Sequence, residues 1–315
     1  MRARMTPNPR AIGMKTSWAS ALFFALALCM GAHIARAEDA DANSAALLRA
    51  RYDGLQNRLE HNPFHRPLHL ESSETSDSVT GDIYARIDYP FATVRAALNN
   101  PGDWCDILIL HINTKYCRAS SGAQGAVLNV SIGRKFDEPL NKAYRVDFAY
   151  RVTAQTENYL QLRLNADVGP FSTRDYRIVL EAVPLKSGRT FIHFSYSYAY
   201  GLVGRLALQG YLATIGRSKV GFAVVGSGSD GQPIHIGGIR GLVERNSMRY
   251  YLAIEAFLGA VSAPPQERLE KRLREWFAAC ERYPRQLHEL EQGEYLGMKR
   301  KEYLRQQTEL QPPPA

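Results

Sequence analysis

The run IRGLVERNSMRYYLAIEAFLGAV, residues 239–261, decides how the rest of the chain is read. At 100° per residue, Ile239, Val243, Tyr250, Ile254, Phe257 and Val261 fall within one narrow arc, the pattern of a long helix that buries a single face. Ala263-Pro264-Pro265 ends it, since proline cannot continue a helix. Asn246 and Ser247 lie inside the arc beside Tyr250. Polar groups turned toward a core need partners, and a neighbouring strand, a trapped water or a ligand head group would supply them. Glu244, Arg245 and Arg249 lie off the centre of the arc, where surface ion pairs are expected.

The surface for that arc is encoded upstream. From Gly81 the sequence alternates, with Ile83, Ala85 and Ile87 on one side and Tyr84, Arg86 and Asp88 on the other, which predicts a first strand. Pro90 opens a helix over Phe91–Leu98, and a second short helix carries Trp104, Cys105, Ile107, Leu108 and Leu110. Strands are expected near 112–120, 125–134, 143–153, 158–167, 174–184, 190–200 and 218–226, joined by Gly, Asn, Asp or Lys-Ser-Gly turns into one antiparallel sheet. Tyr144, Val146, Phe148, Tyr150 and Val152 share one face, as do Ile192, Phe194, Tyr196, Tyr198 and Tyr200. Gly204 to about Thr214 interrupts the sheet as a short helix or lid, and Gly201–Tyr211 is the candidate moving entrance.

A strand, two short helices, a run of antiparallel strands and one long closing helix resemble the START-like helix-grip superfamily of lipid-transfer proteins and polyketide cyclases over 81–262. Gly169-Pro-Phe-Ser-Thr-Arg-Asp-Tyr176 is similar to the START segment in which Arg-Asp-aromatic opens a strand, and Pro90 to Trp104 to the family's first helix pair. The buried cation that some START proteins carry further along that strand has no match at Arg177 or Leu180, so ligand identity does not transfer. The resemblance implies an α+β fold, a curved antiparallel sheet wrapped around a long C-terminal helix, with extra N- and C-terminal helices. Around it stand a signal peptide (1–37), an N-terminal helix and linker (38–80, helical from Ser44 to about His61) and an amphipathic helical tail (263–315).

The same resemblance implies a protein that binds or carries an apolar small molecule, above all a lipid, between sheet and helix, with no cofactor, and the N-terminal signal makes it an exported bacterial member. Tyr196 and Tyr198 would line the cavity, and Asn246, Ser247 and Tyr250 would orient the polar end. His111, Asn113, Lys115 and Cys117 alternate along the strand expected after the second short helix, so Asn113 and Lys115 either hold a carboxylate or phosphate at the cavity mouth or are ordinary surface residues. A cyclase- or aromatase-like enzyme using cavity acid–base residues is the alternative on the same fold. A third is a docking module that meets a membrane or membrane protein through the helix 266–283, in competition with packing of that helix on Met248 and Leu252.

Other motifs are weaker. Gly226-Ser-Gly-Ser-Asp-Gly231 matches a dinucleotide fingerprint literally, but Pro233 and an extended stretch follow where a helix should start, so it reads as a hairpin turn. His61, His65 and His69 have helical metal-ligand spacing that Pro63 and Pro67 break, and no metal site is expected. His193 beside Ser195 and Ser197 lacks an identifiable acid or nucleophile elbow, and no catalytic residue is assigned.

The N-terminus completes the picture. Arg2, Arg4, Arg10 and Lys15 precede the apolar run Ala19–Met30, and Ala35-Arg36-Ala37 offers a small-x-small cleavage site. That run is shorter than the roughly 20 residues of a membrane span, so a periplasmic or secreted protein cleaved near Ala37 is expected. Residues 1–37 hold five cations and no acid, so cleavage takes the net charge from +8 to +3, leaving no electrostatic footprint for nucleic acid. An oxidising compartment permits a Cys105–Cys117 disulfide, although pairings through Cys280 stay open. Cys280 lies on the helical stripe Leu269, Leu273, Trp276, Cys280, Tyr283, where a buried free thiol is the plainest reading.

Overall fold

Eight strands form one antiparallel sheet in the computed structural model: β1 (Leu68–Glu74), β2 (Ser78–Ile87), β3 (Thr114–Gly122), β4 (Gly125–Ile132), β5 (Tyr144–Gln155), β6 (Leu160–Val168), β7 (Thr173–Pro184) and β8 (Thr190–Tyr200). Their order is β1-β2-β8-β7-β6-β5-β4-β3. The structure describes residues 40–122, 125–214, 216 and 219–310; the expected signal peptide and its cleavage site lie outside them. A helix α1 covers 40–60. Between β2 and β3 come α2 (Phe91–Leu98) and α3 (Pro101–Leu108); after β8 come α4 (Leu202–Ala213), α5 (Gly238–Gly259), α6 (Pro265–Glu281), α7 (Pro284–Leu287) and α8 (Gln292–Leu310). The chain divides into Met1–Asn43 and Ser44–Ala315, and the whole sheet belongs to the second unit.

This is the α+β helix-grip architecture. The first strand of the expected domain, β2, pairs with the last, β8, and α5 lies against β1, β2 and β8. Strict alternation of buried and half-buried residues along β2 puts Val79, Ile83, Ala85 and Ile87 on the core face. The helix reaches that face closely at Gly81, where Ser247 Oγ donates to Gly81 O at 3.2 Å and an added Cβ would lie 2.5 Å from the same Oγ. On the opposite face Leu48, Leu55 and Leu59 of α1 form a smaller core with Tyr159, Val183 and Phe191.

Three expectations need correction. The stretch from Glu71 to Thr80, read as a linker, belongs to a β1–β2 hairpin in register from Leu68↔Ala85 to Glu74↔Val79. Its apolar alternation is confined to Leu68 and Leu70, too short to stand out beside the serines that follow. The segment 218–226 does not join the main sheet: β9 (Val224–Ser227) pairs only with β10 (Pro233–His235), and the glycine-rich stretch forms the turn between them. All four β9 residues are exposed, so it has no face to bury against the sheet.

The third correction concerns the back of α5. Glu244, Arg245 and Arg249 are not on the surface but 0%, 1% and 1% exposed. Glu244 is enclosed elsewhere, accepting from Ser72 Oγ and the N–H groups of Phe222 and Ala223, while a second helical layer from the tail covers Met248, Arg249 and Leu252: Leu273, Trp276 and Cys280 of α6 share a core with Met248 and Leu252, and Trp276 Nε1 donates to Arg249 O at 3.0 Å. The stripe considered for membrane or protein docking is therefore consumed within the chain. Cys280 is a buried free thiol and Cys105 is bridged to Cys117, with their Cα atoms 5.1 Å apart, tying α3 to β3.

Candidate ligand-binding site

Between the concave face of the sheet and α5 lies a contiguous cluster of tyrosines. Tyr176 comes from β7, Tyr196 and Tyr198 from alternate positions of β8, and Tyr250 from α5. Ring centroids are 5.3 Å apart for Tyr176–Tyr198, 5.4 Å for Tyr196–Tyr250 and 5.7 Å for Tyr196–Tyr198. Tyr176 shares a 2.6 Å hydrogen bond with Thr173 Oγ1. The hydroxyls of Tyr196, Tyr198 and Tyr250 find no hydrogen-bond partner among the described residues, and burial pushes each far above the ordinary phenol range. None of the three is among the fully buried side-chain atoms that lack a partner, so each hydroxyl borders accessible space rather than packed protein, as a ligand site requires.

Buried nitrogens border the cluster. His111 stacks on Tyr250 at 4.6 Å. Its Nδ1 accepts the Asn113 N–H at 3.2 Å, which leaves the proton on Nε2, turned toward Asn246 without a well-formed hydrogen bond. Burial first, then the charges of Arg249, Lys299 and Lys135, hold its pKa well below the usual value, so the ring is a neutral donor at pH 7. Arg245 lies near Tyr198 and Tyr211, and its Nε and Nη1 are likewise unpartnered.

The sequence-derived candidates separate into two groups. Tyr196, Tyr198 and Tyr250 come together, and half-buried Asn246 lies beside His111. Ser247 is spent on Gly81. Asn113 donates Nδ2–H to Gly133 O at 2.7 Å. Lys115 is neither at a cavity mouth nor on the surface: it is fully buried, and its Nζ donates to Glu302 at 2.9 Å and Phe136 O at 3.0 Å. Lys299 meets the other oxygen of Glu302 at 2.8 Å, so Lys115 anchors α8 to β3. Tyr176, His111 and Arg245 were not singled out for this role from sequence. The apolar stripe of 269–283 carries the signal that a second layer covers Arg249; no local pattern marks Arg245 as buried.

His193 faces the other side of the sheet. It donates Nε2–H to Asp82 at 2.9 Å and Nδ1–H to Glu181 at 2.8 Å, and stacks on Tyr84 at 4.4 Å. Burial disfavours its charge, but the two carboxylates outweigh burial and raise its pKa to about 9. With both nitrogens donating, it is a structural cation and has no lone pair for base chemistry. Two surface depressions, of about 380 Å³ beside Phe136, Leu290 and Met298 and about 290 Å³ beside Phe64, His69 and Phe222, both lie away from the tyrosines. No group of three or more His, Cys, Asp or Glu among the described residues is placed to hold a metal, and no described helix is long and apolar enough to cross a membrane.

No protein-family model matches the chain, nor does any curated protein sequence. Solved structures similar to it include a truncated norcoclaurine synthase from Thalictrum flavum, 13% identical over 46% of this chain and 93% of that one, with a TM-score of 0.32. Human StAR-related lipid transfer protein 5 is 8% identical over 56% of this chain and 90% of its own, TM-score 0.30. Ara h 8.0201 is 12% identical over 47% and 91%, TM-score 0.27. At these values the likeness says nothing of activity, and the helix-grip assignment rests on the strand order and the α5 packing.

Proposed function

We propose that this is an exported protein, periplasmic or secreted, that binds an apolar small molecule, above all a lipid, between its sheet and α5 and carries it. The observation that carries the reading is a cluster of largely buried tyrosines, Tyr196, Tyr198 and Tyr250, whose hydroxyls bond no described protein group yet are not sealed in packed protein. Ligand sites are apolar walls with a few polar groups that orient one end, and aromatic rings with free hydroxyls have that character. Asn246 and the Nε2–H of His111 add two more polar groups at the same end. Export is supported by the Cys105–Cys117 bridge, because reducing compartments rarely keep one.

Entry is assigned to α4. Only Gly204 and Leu208 of that helix are buried, while Leu202, Val203 and Leu206 are 75%, 68% and 59% exposed. It rests on the Phe171–Ser172 turn, both residues left-handed with φ of 59°, through Gly204, where a Cβ would lie 2.9 Å from Ser172 O. A segment with so little buried surface opens at small cost.

Native mass spectrometry of the full chain, purified from an oxidising compartment and followed by solvent extraction, tests the reading. A stoichiometric apolar molecule is expected, and its mass names the cargo. A protein that is empty, and stays empty after incubation with total membrane lipid, overturns it.

A further inference from the structure

Arg245 is the least satisfied buried charge near the candidate site. Its side chain is among the largest fully buried ones, and neither Nε nor Nη1 reaches an acceptor. Its neighbour one turn on, Arg249, spends one nitrogen on Glu289 at 2.7 Å and leaves Nε unpartnered. Glu289 also takes Lys135 at 2.6 Å and Lys219 at 3.5 Å. One carboxylate thus serves Lys135, Arg249 and Lys219 directly and is the acidic side chain acting on Arg245. Among the described residues, four cations face one anion. Burial, and then the charge of Arg249, push the Arg245 guanidinium down to about 10, and Lys135 is lowered too, by burial first. A buried guanidinium without acceptors is strongly destabilising unless an anion completes it.

The location gives the missing anion a body. Arg245 lies on α5 within electrostatic reach of Tyr198 of the tyrosine cluster and of Tyr211 of α4, the helix assigned to entry. Apolar rings with free hydroxyls thus run into a cationic end under a loosely held cover.

We propose that the molecule held in the grip is an anionic amphiphile whose carboxylate or phosphate oxygens bind Arg245, its apolar body lying along the tyrosines. This rests on the ligand-binding reading above and adds the charge of the head group. Guanidinium forks match carboxylate and phosphate oxygens geometrically, and such charge-assisted bonds are about twice as strong as neutral ones.

The test uses matched probes on the solvent-extracted full-length protein, by calorimetric titration at neutral pH. One pair is oleate against oleyl alcohol, the other dioleoylphosphatidic acid against dioleoylglycerol; inorganic phosphate alone is the fifth probe. At least one acid is expected to bind about ten- to a hundredfold tighter than its neutral partner, and the preferred pair identifies the head group. Arg245→Met should erase that preference while leaving the neutral probe's affinity in place. Because it removes an unpaired buried charge, it should also melt no lower than wild type without ligand. Equal binding of acid and neutral probes, or a preference that survives Arg245→Met, overturns the anionic head group while the apolar carrier stands; trapped water then completes Arg245. Binding by neither pair overturns both readings, and so does inorganic phosphate binding where the amphiphiles do not. An Arg245→Met protein that melts well below wild type makes Arg245 structural and overturns the inference alone.

Discussion

At the scale of single residues, burial decides the role more than residue type does. His193 and His111 are both buried imidazoles, yet the first is held charged by Asp82 and Glu181 and the second is kept neutral by burial among cations. For His193 the folded pKa of about 9 exceeds the ordinary imidazole value of about 6.5, so its contribution to stability is complete below about pH 6.5 and is lost as pH rises through about 9. Denaturant unfolding of wild type should therefore show stability falling across that window, and His193→Gln should remove much of the fall; an unchanged slope in the variant would refute the assignment. Alternation put His193 on the face opposite the tyrosines, as observed, but its two carboxylates come from neighbouring strands whose register no local pattern states. Tyr196, Tyr198 and Tyr250 were legible because period 2 and period 3.6 each point them inward. Arg245 was not, since it falls outside the apolar arc and a helical wheel is silent about what packs around the rest of the helix.

At the scale of elements, the seam between α5 and β2 is closely packed. Gly81 leaves no space beside Ser247, so Gly81→Ala should cost about 1–3 kcal/mol as overpacking pushes the helix from the sheet. The clash is with Oγ at 2.5 Å, whereas the Ser247 Cβ lies at 3.4 Å. Gly81→Ala/Ser247→Ala should accordingly be more stable than the two single effects added, as read from urea midpoints; strict additivity would place the strain elsewhere. The α2–α3 pair and the grip helix were readable from proline placement and apolar spacing. The β1–β2 hairpin and the isolated ribbon were not, because short polar strands differ from loops only in what pairs with them.

At the scale of the whole molecule, the tail is a structural layer. Deleting 264–315 would strip Leu273 and Trp276 from the core they share with Met248 and Leu252 and leave Lys115 without Glu302. The expected result is aggregation, measured by light scattering after purification; a stable monomer would mean that the grip folds without the tail. The strand order also sets a sequence in time. Ser78 of β2 pairs with Ala199 of β8, so the strand synthesised early has its partner far along the chain. Pairings of such separation form slowly, because loop closure must be met before any contact rewards it. The β3–β8 meander can assemble from neighbour to neighbour, while the β1–β2 hairpin waits with Val79, Ile83 and Ile87 uncovered. In a chain threaded through a membrane from its N-terminus, that waiting hairpin is the part in need of a chaperone. The helix from which the fold was read joins last, since β1, β2 and β8 must stand side by side before α5 has anything to grip.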